Sequence, residues 1–306
     1  MIRKSNSRFE IFFILGFLLT LIIAFSTFFL GLRMGINQTE SKYAYLKTSA
    51  PELETESSYT QQDLVTFYYV VFQPYQQFKD DYLALVDVLG RSNSNSNSKQ
   101  ALKEIRNSAE KQYEQISANS IAASSPLLKE AHNDILKSLK LFDDSIDRTL
   151  AASGNKNGAQ YAQSLAKDEF TEKAIAFGLQ AQKKYYSSIL KWTAKGNKSI
   201  SGEYSFAKDT TIQQWSNLSL AVKNKAVTDI MANDKLFVSY LPQDMTAKID
   251  QMIGSGKATS LSLHSVSSIV KILTETEAVQ SKEFTKWKST YYASEPLPAL
   301  PFFIED

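Results

Sequence analysis

From Ile11 to Leu32 every side chain is apolar, or small or hydroxylic (Gly16, Thr20, Ser26, Thr27, Gly31), and none is charged. Hydrocarbon offers the backbone no partners, so such a run must close its hydrogen bonds on itself as a helix. About 20 helical residues cross a bilayer core, and residues 11–32 are therefore expected to be a transmembrane helix. A cleaved signal peptide is the competing reading. Its apolar region would be only about 7–15 residues long, whereas here Phe28, Phe29 and Leu30 follow the best small-x-small site, Ala24-Phe25-Ser26. Gly31 and Gly35 have the spacing of a close helix approach. They flank Arg33 at the membrane edge and read as incidental glycines of a helix end.

After the apolar run the pattern changes twice. Residues 33–60 are polar, rich in Ser, Thr and Glu and carry Pro51, the composition of a tether. Tyr43 and Tyr45 either rest at the membrane interface, where amphipathic rings are favoured, or move with the tether. A helical period then begins. Leu64, Phe67, Val71, Tyr75, Phe78, Tyr82, Leu85 and Leu89 recur at steps of three and four, the repeat of one helix face. Gly90 is expected to end this helix. Pro74 lies inside it and removes a backbone donor, so a kink or break is expected near residues 70–74.

The polar repeat Ser92–Ser98 reads as a flexible loop. A second helix is expected over Lys99–Ser117, with Leu102, Ile105, Ala109, Tyr113 and Ile116 inward. Ser125-Pro126 has the N-cap and first-residue chemistry of a third helix. Leu128, Ile135, Leu139, Phe142, Ile146 and Leu150 continue its stripe up to Gly154. A fourth long helix is expected over Ala159–Ala194, weakened by Gly178 by up to about 1 kcal/mol relative to Ala. Four consecutive helices with short joins form an antiparallel bundle.

Residues 197–209 read as a loop, followed by a helix over Ile212–Ala232. The apolar run Leu236–Leu241 suits a strand or a helix end, and without a partner strand the helix end is the better expectation. Pro242 interrupts there. A short helix around Met245, Ile249 and Met252 stops at Gly254-Ser255-Gly256, and another runs from Leu261 through Leu273, either ending there or continuing to Tyr292. Pro296, Pro298 and Pro301 make residues 295–306 an extended tail, whose Phe302, Phe303 and Ile304 are able to dock on the domain. The expected fold is thus all-α, with residues 61–196 forming a four-helix bundle and residues 197–294 adding C-terminal helices.

Charge sets the orientation. Arg3, Lys4 and Arg8 precede the apolar run, while Arg33 alone follows it closely. The positive-inside bias places residues 1–10 in the cytoplasm and the helical part outside. The formal charge of the 306 residues is +2, and the first 36 residues hold +3 of it, leaving about −1 on the remainder. A near-neutral exterior has no electrostatic footprint for nucleic acid. Arginine occurs after Arg33 only at Arg91, Arg106 and Arg148, so the distal half lacks the usual bidentate anion ligand. The chain has no cysteine, which excludes disulfides, thiol catalysis, thiolate metal sites and a lipid-modified cysteine anchor. A Cys-free ectodomain rich in Lys, Ser and Asn suits a bacterial cell envelope. Asn37, Asn197 and Asn217 would be glycan acceptors only in another setting.

Familiar chemistries find little support. His132 and His264 are the two histidines, and neither has metal-ligand spacing around it. Gly254-Ser255-Gly256-Lys257 resembles the end of a phosphate loop, but Gln251 and Ala258 occupy its first-glycine and hydroxyl positions. Ser164/Lys167, Ser205/Lys208 and Ser268/Lys271 match S-x-x-K, as chance provides in a Ser- and Lys-rich chain, and no S-D-N or K-T-G accompanies them. Asp80, Asp81, Asp143, Asp144 and Asp147 are the densest carboxylates and read as solvated helix faces. No cofactor is expected and no metal site.

One cluster stands out. Phe67, Tyr68, Tyr69, Phe72, Tyr75, Phe78 and Tyr82 crowd the first helix. They are either a core of large rings or a ligand- or partner-binding surface on which a glycan stacks. The expectation for function is a membrane-anchored, extracytoplasmic helical binding or scaffold protein, not an enzyme, with an envelope or membrane protein as partner. A small-ligand sensor using an aromatic-lined pocket is the alternative, and an envelope hydrolase a remoter one.

Overall fold

The computed structural model describes residues 58–304 except 93, 95, 153 and 155. The apolar run 11–32, the end expected to be cytoplasmic and most of the expected tether lie outside the described residues. Among the described residues no helix is long and apolar enough to cross a membrane, and all regular structure is helical. One isolated antiparallel bridge joins Thr211 and Ser265.

The chain enters through α1 (Gln61–Phe67), whose start is fixed by a capping box between Thr60 and Asp63. A π-turn follows over Tyr68–Phe72, and α2 runs from Gln73 to Arg91. The disruption falls where Pro74 predicts it. The amide of Gln73 reaches back five residues to Tyr68, and the missing donor of Pro74 is absorbed without ending the helix. Gly90 does not stop α2, which closes one residue later.

Helix α3 (Ser96–Ser117) starts within the Ser-Asn repeat rather than after it. Ser98 is buried, and its hydroxyl donates to the carbonyl of Ser94 at 2.6 Å. Tyr113, expected inward, is exposed, while Leu102, Ile105, Ala109 and Ile116 are buried. Helix α4 (Pro126–Ala151) begins after Ser125 as expected and is closed by Ala152, two residues before Gly154. The expected fourth helix is two helices, α5 (Gly158–Lys167) and α6 (Glu169–Gly196). Asp168 breaks them apart. Its extended backbone ends the first, and its carboxylate accepts from the amides of Phe170 and Thr171 to start the second.

Hydrogen bonds and ion pairs give the relative directions of three of the long rods. Arg106 meets Asp143 and Asp147, and His132 meets the carbonyl of Ile116, so α3 and α4 are antiparallel. Lys184 meets Asp134 and Thr171 meets Ser145, so α4 and α6 are antiparallel. The four-helix core is built on buried Phe67, Phe72, Tyr75, Phe78, Tyr82, Leu139, Phe142, Tyr185 and Ile189. Burying each such side chain contributes on the order of 2 kcal/mol.

The C-terminal part carries its own apolar cluster around Trp215, Val227, Met245, Ile249, Val266 and Ile269. Its helices are shorter than their periodicity suggests. The expected Ile212–Ala232 rod is α7 (Ile212–Ser216) and α8 (Leu220–Asn233), parted at residues 217–219. Leu236–Leu241 is neither strand nor helix end but an irregular connection, entered through Lys235 at φ 54°. Pro242 is the first residue of α9 (Pro242–Gly254), a position where its missing donor costs nothing. Gly256, at φ 74°, turns the chain into α10 (Lys257–Ser260). The helix expected from Leu261 onward starts at Val266 and stops at Glu275 as α11, and α12 (Glu283–Tyr291) is separate. Between them Glu277 and Lys282 hold positive φ without glycine, a conformation that no sequence signal announces. The tail is not extended throughout. Pro301–Ile304 closes one helical turn, α13, with Leu300 and Phe303 buried.

Three buried carboxylates tie these elements together. Asp250 of α9 accepts from Trp215 Nε1 at 2.7 Å, from Lys223 Nζ at 3.0 Å and from Tyr292 Oη at 2.5 Å. Asp229 of α8 pairs with Lys225 at 2.7 Å and Lys183 at 3.0 Å, and accepts from the amide of Phe206. Asp244 caps α9 by accepting from the amide of Leu241 and reaches the amide of Phe284 in α12. All three lie in contact with partners, as buried charge requires.

Candidate functional site

The seven rings of the aromatic cluster divide by burial. Phe67, Phe72, Tyr75, Phe78 and Tyr82 are buried in the bundle core. Tyr68 is half-buried and Tyr69 exposed. Most of the cluster is therefore packing. Tyr75 and Tyr82 hold their hydroxyls inside, with burial raising both phenols and Tyr82 pushed up to about 12. Tyr75 Oη meets Ser138 Oγ at 2.8 Å.

Two of the seven do more. The π-turn widens the helix at Tyr68–Phe72, and Tyr68 and Phe72 present a wall to a cleft of about 290 Å³. Phe302, from α13, completes the wall at 5.4 Å from Tyr68 and 6.3 Å from Phe72, ring to ring. Phe72 is itself held by Tyr185 at 4.7 Å. The rest of the lining is mostly polar and comes from three separate stretches of chain. Gln73, Gln76 and Asp80 line it from α2, Ser239 and Gln243 from the irregular connection and α9, and Ser281, Lys282 and Thr285 from the turn into α12. A cleft combining an apolar wall with a few convergent polar groups is the usual form of a small-ligand site, and π-turns gather at such places.

The electrostatics of the cleft are balanced. Asp244 is spent on backbone amides, and burial still raises its carboxyl. Asp80 sits exposed at the rim, and desolvation by the surrounding protein raises it against the pull of Lys79. Gln243 is fixed by Tyr186, whose hydroxyl donates to its Oε1 at 2.5 Å. Behind the rim, on the adjoining face of α2, Lys79 is only 3% exposed. No carboxylate pairs with it among the described residues. Its ammonium stands 5.9 Å from the ring of Phe237, and burial lowers it to about 8 despite Asp80 and Asp244. Beside it lies a cavity of about 10 Å³, enough for a single water. Gln76 and Gln182 also line that cavity, and Gln76 Oε1 is buried without a partner.

Two wider hollows lie elsewhere. One, of about 380 Å³, is lined by Phe206, Val270 and Lys271, and the other, of about 440 Å³, by Tyr59, Trp192 and Pro296. Both open more broadly and gather fewer polar groups than the cleft at Tyr68.

The remaining candidates find ordinary places. His132 is buried with Nε2 3.0 Å from the carbonyl of Ile116. Ser164 donates to the carbonyl of Gln160, and Ser268 pairs with Ser265 at the start of α11. Asp143 and Asp147 are joined by Arg106 at 3.0 and 2.9 Å, and Lys140 reaches Asp143 and Asp144, so this acidic face is an interhelix ion-pair network rather than a bare solvated surface. Among the described residues no group of three metal-ligating side chains gathers.

Of the residues lining the cleft, the sequence singled out Tyr68 and Phe72 but not Gln73, Gln76, Asp80, Ser239, Gln243 or Lys282. The only local signal was the polar set Gln73, Gln76 and Asp80 set beside the aromatic face of one helix. Comparison with protein-family models, with curated proteins and with solved structures gives no match.

Proposed function

We propose that the chain is a membrane-anchored helical binding protein of the cell envelope, and that the cleft at Tyr68 and Phe72 is where it binds. Residues 11–32 hold it in the bilayer with residues 1–10 inside the cell, and the helical unit works outside. The observation that carries the binding role is the cleft itself, whose aromatic rings, amides and hydroxyls come from distant parts of the chain. Converging groups of this kind position a small polar ligand rather than fill a core. Fractionation of cells, with protease added to intact cells, tests the placement. The expected result is a membrane-bound chain whose helical unit is cut from outside. Recovery of a freely secreted chain lacking residues 11–32, or of a unit protected inside the cell, overturns it.

A protein partner is the second reading. It is favoured by Tyr69 and Ile304, exposed at 52% and 53%, which follow directly on or lie close to the wall residues Tyr68 and Phe302. Crosslinking at position 69 in intact membranes tests it, and a single captured envelope protein is the expected outcome.

A further inference from the structure

We propose that the ligand of the cleft at Tyr68 is a neutral saccharide of one or two rings. The proposal rests on the reading of this cleft as the binding site, and it follows from shape, hydrogen-bonding character and charge together.

The wall comes first. Tyr68, Phe72 and Phe302 are within 6.3 Å of one another, ring to ring, and Phe72 is backed by the buried Tyr185. Phe72, only 1% exposed, thus anchors the wall to the core, and the half-buried Tyr68 and Phe302 present its apolar surface. A pyranose offers the same kind of surface on one face, where its C–H groups point together, and covering both removes apolar area from water.

The polar lining then supplies what the ring edge needs. Sugar hydroxyls donate and accept, and so do amide and hydroxyl side chains. Gln73, Gln76, Ser239, Gln243, Ser281 and Thr285 are all of that kind. Gln243 is pre-oriented, because Tyr186 occupies its Oε1 and leaves its Nε2 as a donor.

Charge discriminates among polar ligands. With Asp244 engaged by the amides of Leu241 and Phe284, the cleft keeps one acidic side chain, Asp80, and one basic, Lys282. Neither has an ion-pair partner among the described residues. A ligand of either net charge meets one of them as a like charge, whereas a polyol uses Asp80 as an acceptor and Lys282 as a donor. The volume, about 290 Å³, is at the small end of ligand clefts, which limits the buried part to one or two rings. The open mouth admits either a free sugar or the end unit of a longer glycan.

The test uses the full chain in lipid nanodiscs, without sugar-based detergent. N-Acetylglucosamine, its β-linked disaccharide and maltose are the neutral probes, with choline and glutamate as cationic and zwitterionic-acidic probes of similar size. Binding is read by ligand-observed nuclear magnetic resonance and calorimetry. Insoluble chitin, sedimented with the chain, separates a glycan end from a free sugar. The paired variant Gln73→Ala/Asp80→Asn changes two exposed rim side chains, and its unchanged Tm serves as the control for folding. The expected result is binding of at least one neutral sugar, weakened about tenfold or more in the variant, the loss of roughly one charge-assisted hydrogen bond. Binding of choline or glutamate alone, lost in the variant, overturns the saccharide while leaving the cleft as the binding site. Binding of no probe, or of a sugar unaffected by the variant, overturns both.

Discussion

The ring of Tyr75 lies directly on the backbone of Gly178. A Cβ placed at residue 178 would stand 3.0 Å from Tyr75 Cζ and overlap the hydroxyl, with Phe237 at 3.4 Å on the other side. The hydroxyl has no freedom to retreat, because it meets Ser138 Oγ, which donates onward to the carbonyl of Ala174 at 2.7 Å. Glycine is thus what makes room on α6 for the Tyr75 ring of α2. Gly178→Ala gains up to about 1 kcal/mol of helix propensity but overpacks a rigid site, which costs about 1–3 kcal/mol. The expected net result is destabilisation by about 1–2 kcal/mol in denaturant unfolding. Tyr75→Phe added to it recovers part of the loss, since the two changes share one contact.

Lys79 gives a prediction with the opposite sign. Burial lowers its ammonium from 10.5 to about 8, so the fold disfavours the charged form. The penalty is fully present below about pH 8 and fades as pH rises toward 10.5. At roughly 1.4 kcal/mol per pKa unit it amounts to about 3 kcal/mol as an upper bound. Lys79→Met is expected to raise stability at pH 7 by about 1–3 kcal/mol, and the advantage over the parent should shrink between pH 8 and pH 10.5. Melting temperatures of both chains across that range check it. An unchanged or lowered Tm for Lys79→Met at neutral pH would contradict it.

The buried phenols act at higher pH. Burial raises Tyr75, Tyr82, Tyr185, Tyr186 and Tyr292 above the ordinary 10.0. For an acid held neutral by the fold, stability is complete below the unfolded pKa and is lost as pH climbs from there toward the folded value. The chain should therefore unfold cooperatively above pH 10, with these phenolates appearing together in the ultraviolet absorbance. A gradual titration of all tyrosines without unfolding would contradict it.

Asp250 is the strongest single polar junction of the C-terminal helices. Its two oxygens receive Trp215, Lys223 and Tyr292 from three different elements. Asp250→Asn keeps the shape but leaves Lys223 as a buried cation without its counter-ion, which costs about 3–5 kcal/mol. Lys223→Met added to it removes the stranded charge and should restore a substantial part. Denaturant unfolding of the single and double variants measures both.

The residues themselves show where reading along the chain succeeds. Leu64, Phe67, Phe78, Leu139, Phe142 and Ile189 repeat at helical spacing, and each lies in the core. A helix face is decided by neighbours three and four residues away, so local order is enough to reveal it. The disruption near Pro74 was legible for the same reason, since proline acts on its own turn. The apolar run 11–32 is equally local, and its assignment comes from sequence alone.

The breaks at Asp168, at residues 217–219 and at Glu277–Lys282 were not legible, because apolar periodicity continues across them and tertiary contacts choose the caps. The same holds for Tyr113, which keeps inward spacing yet faces solvent because no element covers it. The cleft belongs to this second class. Tyr68 and Phe302 are separated by most of the chain, and Gln243 acquires its role from Tyr186. Helical period follows from bonds between near neighbours and is written along the chain. An aromatic wall lining a cleft, a buried charge's partner and the need for glycine at residue 178 follow from meetings between distant segments, which exist only once the helices have packed.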